Sequence, residues 1–172
     1  DPCRSRGLGD VYKRQRQKIA EKTIFNLLGP HTNPCSAKKQ VLGVYDEKLV
    51  KMFSNVAKNL DMKHVMIVHG DDGLDEISIC SETIVSELKD NNISEYKISP
   101  KDYGLNISSF DQIAANSSDE SLLLVNSAFN GESSAVQDMI ALNSGAALYV
   151  ASEVNSISDG VEMAFDLSLI HI

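Results

Sequence analysis

Tryptophan is absent, and aromatic residues of every kind make up only 6% of the 172 positions. A core must therefore be assembled from Leu, Ile, Val, Ala and Met. Cysteine is scarce as well: Cys3, Cys35 and Cys80 are odd in number, widely separated and without zinc-finger spacing. That excludes a disulfide framework and points to a reducing, cytoplasmic compartment. No apolar run reaches the roughly 20 residues needed to cross a bilayer. The N-terminus has no apolar central stretch, so no signal peptide is expected.

What is present suits one soluble domain. Apolar residues account for 42% and charged residues for 23%, an ordinary globular composition. A chain of this length can bury a core without covalent staples. The formal charge of -8 repels phosphate, so neither nucleic acid nor an anionic membrane is expected as partner. The acidity is thinly spread and also serves solubility.

The two ends read differently from the middle. Residues 1–15, DPCRSRGLGDVYKRQ, show no apolar period. They resemble translated sequencing-adapter sequence, as do the last residues, LSLIHI. Residues 1–15 and 167–172 are expected to be non-native, leaving 16–166 as the domain proper.

Within that span, Asn26–Pro34 (NLLGPHTNP) is a loop stiffened by two prolines. QVLGVY (Gln40–Tyr45) predicts a strand. Asp46 then caps a helix to about Leu60, with Leu49, Val50, Phe53, Val56, Ala57 and Leu60 on one face. HVMIVH (His64–His69) predicts a buried strand parallel to the first. TIVSEL and SEYKIS alternate around a short polar turn and predict a hairpin at the sheet edge. Helices are expected over Asp119–Phe129, Ala135–Ala151 and from Ser158 onward, their Leu, Val and Met stripes forming core. The fold class is α/β: a central mixed, largely parallel sheet flanked by helices, truncated at its start.

The strongest chemical signal is VHGDDGLDEIS (Val68–Ser78), where a buried strand runs into a turn bearing Asp71, Asp72, Asp75 and Glu76. Ligands of open α/β sheets bind at the carboxyl ends of parallel strands. Clustered carboxylates repel unless a cation offsets them, and hard oxygens suit Mg²⁺. An acidic solvated turn is the alternative on spacing alone. His69, beside the turn, reads as a strand-end histidine with its hydrogen bonds met, and Cys35 and Cys80 as plain thiols.

NLLGPHTNP and GDDGLDE (Gly70–Glu76), in order and at the family's separation, resemble the anthranilate phosphoribosyltransferases. QVLGVYDEKLV and LNSGAALYVA strengthen the resemblance, which spans Arg16 to Asp166. It implies a catalytic domain of the nucleoside phosphorylase and phosphoribosyltransferase type. The implied reaction moves the 5-phosphoribosyl group of phosphoribosyl pyrophosphate (PRPP) to the amine of anthranilate and releases pyrophosphate, in tryptophan biosynthesis. Asp75 and Glu76 match the family's magnesium-binding pair, whereas Asp71 and Asp72 fall at variable positions and read as surface charges. Arg16 aligns with the arginine that contacts anthranilate, a carboxylate that its planar fork can grip. Gly73 is expected to take a conformation closed to other residues. Asn143 matches a helix asparagine with a packing or hydrogen-bonding part.

This sequence departs from the family's pattern at Ile19-Ala20, Lys22 and His31, which leaves the detail of the substrate pocket open. The family's Gly-rich PRPP loop, of GTGGD type, lies upstream of Arg16 and does not occur here. The N-terminal helical domain, through which the intact protein is expected to form a homodimer, is missing too. The chain alone is therefore expected not to catalyse, and the edges that would meet the missing half should be apolar. A pyrimidine-nucleoside phosphorylase-like enzyme and a non-catalytic ligand-binding relative are the competing readings.

Overall fold

The structure is a computed structural model that describes residues 37–132 and 134–170. Among these residues four strands form one sheet in the order β1-β2-β3-β4: β1 Lys39–Gly43, β2 His64–Gly70, β3 Thr83–Lys89 and β4 Asn92–Ile98. Four helices accompany them: α1 Glu47–Asn59, α2 Ser118–Phe129, α3 Ser134–Ala151 and α4 Ile157–Ile170.

The expected β1-α1-β2 unit is present, and its strands pair in parallel with Val41 opposite Met66. Asp46 caps α1 by accepting from the Lys48 N–H at 3.0 Å. The sheet is mixed, as expected. Among the described residues, however, only β1 and β2 run parallel, while β2-β3 and β3-β4 are antiparallel. The cause is the connection after β2, a loop over 71–82 with no crossover helix. With no helix to carry it back across the sheet, the chain returns antiparallel. The β3-β4 hairpin closes through Asp90 and Asn91, both at positive φ (49° and 63°), as a two-residue turn matched to strand twist requires.

Alternation along the strands divides the sheet into two faces. Val65, Ile67 and Leu88 are fully buried on the face covered by α1, which presents Val50, Phe53, Ser54 and Ala57. Buried hydroxyls meet across this layer, Ser86 Oγ donating to Ser54 Oγ at 2.9 Å. Met66, Val68 and Val85 face the other way, against Leu142, Ala146 and Val150 of α3 and Val161 of α4. α3 and α4 cross so closely at Gly145 and Gly160 that a Cβ on either would strike the other's backbone.

The expectation that every apolar stripe is core needs correcting. Leu122 and Leu123 of α2 are 60% and 68% exposed, and Val56 and Leu60 lie on the open side of α1. The buried stripe of α1 keeps the helical period but is Val50-Phe53-Ser54-Ala57, rotated so that a serine replaces an aliphatic residue. α2 leans on α3 rather than on the sheet, and an apolar groove of about 600 Å³ opens between α2, α3 and α4. No helix among the described residues is long and apolar enough to cross a membrane.

A polar cluster fastens α3 to the amino end of β2. Glu87 is buried, with His64 Nε2 2.7 Å from one carboxylate oxygen and the Tyr96 hydroxyl donating to the other at 2.7 Å. The Tyr149 ring of α3 stacks edge-on to His64, centroids 4.9 Å apart. Burial alone would raise the Glu87 carboxyl. Hydrogen bonds from Tyr96, His64 and Tyr149 outweigh that and hold it below its ordinary value of 4.5. A depressed carboxyl adds stability that is present above the unfolded-state value and is lost as pH falls through the folded one. Glu87→Gln should therefore cost about 2 kcal/mol at neutral pH. Its urea midpoint should converge on that of the unaltered chain below pH 4.5. A gap that stays constant down to acid would contradict the assignment.

Candidate functional site

The site lies at the carboxyl ends of β1 and β2, where the chain leaves β2 at Gly70 and crosses toward β3. This loop has no ladder of its own, so its backbone groups are met piecemeal. The Gly70 N–H donates to Leu74 O and the Gly73 N–H to Gly70 O, both at 2.8 Å. Gly73 sits at φ 91°, as its place in the turn demanded. Asp72 accepts from the Leu74 N–H at 3.2 Å and from the Ser78 hydroxyl. Ser78 Oγ in turn accepts from the Cys80 N–H at 2.9 Å.

Asp72 is thus more than a surface charge, since it ties the two ends of the loop together. Asp71 is a surface charge, paired with Lys97 at 2.6 Å. His69 meets the backbone as expected, its Nδ1 2.7 Å from Val44 O. Cys80 is half-buried, and burial pushes its thiol up.

Asp75 and Glu76 stand on the outer side of this loop. Both are exposed, and neither carboxylate has a hydrogen bond or ion pair among the described residues. Lys97 of β4 pairs with Asp71 and, at 3.7 Å, with Glu82. Glu76 is exposed as a residue, yet protein atoms displace part of the water from its carboxyl. That desolvation, with the adjacent Asp75 charge behind it, raises Glu76 above its ordinary value.

The backbone beneath the two acids is held from both sides. The carbonyl of Asp75 lies directly over Gly43, the last residue of β1, where a Cβ would collide with it. Just past Glu76, the buried Ile77 is gripped by Asn143 of α3. Oδ1 accepts from the Ile77 N–H at 3.0 Å and Nδ2 donates to Ile77 O at 2.9 Å. Asn143 therefore has the hydrogen-bonding part expected of it. Gly43 was not foreseen, although an isolated glycine inside a strand pattern marks close backbone approach.

Hard, unpaired carboxylates on a fixed loop can accept a divalent cation. No three His, Cys, Asp or Glu side chains converge to hold a metal among the described residues. An ion here would be shared between two carboxylates, water and the oxygens of a bound molecule, the habit of Mg²⁺. Arg16, Lys22, His31, Cys35 and the Asn26–Pro34 loop lie outside the described residues, so the structure does not relate them to this loop.

Residues 8–168 match the glycosyl transferase family, a/b domain, and the chain belongs to that family. Its similarity to anthranilate phosphoribosyltransferases, expected from the motifs, is extensive. The enzyme of Marinomonas sp. (strain MWYL1) is 49% identical over 154 residues, which are 88% of this chain and 44% of that protein. The enzyme of Clostridium beijerinckii is 44% identical over 90% of this chain and 45% of its own length. The crystal structure of anthranilate phosphoribosyltransferase from Thermus thermophilus superposes with a TM-score of 0.76 at 30% identity, covering 87% of this chain and 44% of that one. The Saccharomyces cerevisiae enzyme in complex with PRPP and Mg shares the fold, with a TM-score of 0.75 at 24% identity. The chain thus spans less than half the length of these relatives.

Because the Asp75 carbonyl occupies the space above Gly43, Gly43→Ala should displace the loop and cost roughly 1–3 kcal/mol. Denaturant unfolding measures the cost, and amide exchange at Leu74–Ile77 should accelerate more than exchange in β2. Unchanged exchange in the loop would show that the two backbones are not in tight contact.

Proposed function

We propose that the chain is the magnesium-holding part of an anthranilate phosphoribosyltransferase. The observation that carries this reading is the pair of exposed, sequence-adjacent carboxylates, Asp75 and Glu76, without a partner among the described residues, on the loop at the carboxyl end of the parallel strands. Two anionic side chains with no cationic partner among the described residues, on an otherwise hydrogen-bonded loop, suit an ion that arrives with its substrate. The relatives at 49% and 44% identity bear this enzyme's name, which favours it over the nucleoside phosphorylase-like and non-catalytic readings.

In the intact protein, the 5-phosphoribosyl group of PRPP would pass to the amine of anthranilate. The bond from ribose C1 to pyrophosphate breaks, the C1–N bond forms, and the amine gives up a proton. Mg²⁺, when bound, supplies positive charge to the departing pyrophosphate. The chain's own share would be to carry Asp75 and Glu76 on a loop whose backbone is fixed by Gly43 and Asn143, so that little reorganisation is needed when the substrate arrives. Arg16 would hold the carboxylate of anthranilate through a bidentate contact.

The span 16–166 is read as the native domain, with 1–15 and 167–172 foreign to it. The intact protein would be a cytoplasmic homodimer assembled through its N-terminal domain, acting in tryptophan biosynthesis with no nucleic acid or membrane partner. The PRPP loop belongs to sequence that this chain lacks, so the chain by itself should bind the ion weakly and turn nothing over.

Titration with Mn²⁺ as a paramagnetic stand-in should show one weak, saturable site. The double variant Asp75→Asn/Glu76→Gln should weaken it by more than about tenfold, because affinity for hard cations follows ligand charge. Binding that survives the double variant sinks the metal assignment. Phosphoribosylanthranilate produced by the 172-residue chain from PRPP, anthranilate and Mg²⁺ would refute the need for the upstream loop.

A further inference from the structure

We propose that Asn143 is a positioning residue that sets the cation affinity of the Asp75–Glu76 loop from 66 positions away. The inference rests on the metal reading above and deepens it. It begins with the shape of the contact. One carboxamide both accepts from the N–H and donates to the carbonyl of a single residue, Ile77. This is the bonding a neighbouring β-strand would provide, delivered by a side chain to a loop that has no neighbouring strand. Only a head group with a donor and an acceptor held in one plane can do both. A carboxylate lacks the donor, an aliphatic residue lacks both, and a hydroxyl cannot span the two.

The head group is itself fixed. Nδ2 also donates to Met139 O at 3.0 Å, one turn back along α3, which selects the side-chain rotamer. Leu142 and Ala146, flanking Asn143 on the helix, are fully buried, so the helix cannot roll without disturbing the core. The Ile77 side chain is buried as well, 1% exposed. Ile77 is therefore held by its backbone and its side chain at once, and it immediately follows Glu76. On the other side, the Asp75 carbonyl is seated on Gly43.

The consequence is a division of labour. Asp72 and Ser78 close the turn on itself, but they relate it only to its own ends. Asn143 ties Ile77, the residue next to Glu76, to α3, and so bears directly on where the two carboxylates stand. Ground-state repulsion between Asp75 and Glu76 would otherwise spread them apart, and the ion would have to gather them again on binding. Outer contacts that orient ligands in this way typically govern metal affinity by roughly 10- to 100-fold.

The test uses the 172-residue chain and Mn²⁺ alone. Asn143→Leu should lower Mn²⁺ affinity by roughly tenfold and speed amide exchange at Ile77, while exchange at Ile67 in β2 stays slow. Ile67→Val serves as the control: it weakens the core and should leave the affinity unchanged. If Asn143→Leu does not fold, Asn143→Ser, which leaves room for a bridging water, is read in the same way. An Asn143 variant that binds within about twofold of the unaltered chain overturns the proposal, provided Asp75→Asn/Glu76→Gln still loses the ion. Should that double variant bind normally, the metal reading fails and this inference falls with it. Equal loss in Ile67→Val and Asn143→Leu would mean that affinity merely tracks stability, and that too would overturn the assignment.

Discussion

Adjacent carboxylates repel, and a chain that must present two of them side by side needs something other than the acids themselves to hold them there. In this domain the restraint is applied to the backbone, not to the carboxylates. Asp75 and Glu76 make no bonds of their own among the described residues. The peptide groups around them are gripped by β1 through Gly43 and by α3 through Asn143. The arrangement leaves the carboxylate oxygens of the pair without partners among the described residues.

The same logic explains why α3 is fastened so firmly. Near its end, Tyr149 packs on His64 and receives a bond from Lys89 at 3.1 Å. Lys39, the first residue of β1, donates to Ala151 O at 2.6 Å and to Ser152 Oγ at 2.9 Å. A cation at a helix C-terminus meets both the unpaired carbonyls and the negative end of the helix dipole. α3 is thus tied to the amino end of the parallel pair by its last turn and to the carboxyl-end loop by Asn143. The helix thereby links the buried His64-Glu87-Tyr96 cluster at one end of the strands to the loop at the other. Its close crossing with α4 at Gly145 and Gly160 adds a third fixed point, because neither helix can slide without a backbone clash.

Much of this was legible in the residues. The β1-α1-β2 unit followed from a β-branched run, a capping Asp46 and a helical stripe, all local signals. The β3-β4 hairpin followed from alternation around the polar DNN segment. The acidic loop announced itself by charge density after a buried strand. What could not be read depends on partners distant in the chain. Nothing local distinguishes Asp71, which pairs with Lys97, from Asp72, which ties the loop through Ser78. Leu122 and Leu123 have the composition of core residues, but their exposure is set by how α2 meets α3, and no periodicity within α2 contains that. Arg16 and the proline-rich loop fall outside the described residues, so their part in the site stands on resemblance alone.

Gly43 shows most clearly why a site can be half visible in sequence. In isolation it is a flaw in a strand, since glycine adds no packing and gives up more backbone freedom on folding than alanine would. Its value appears only when the Asp75 carbonyl is placed above it. Gly43 makes room for the loop, Asn143 draws the loop inward, and Ile77 fills the core beneath. Each of these residues is ordinary by type. Together they fix the backbone that carries two neighbouring acids, so a cation proposed to bind there would meet a loop whose position is already set.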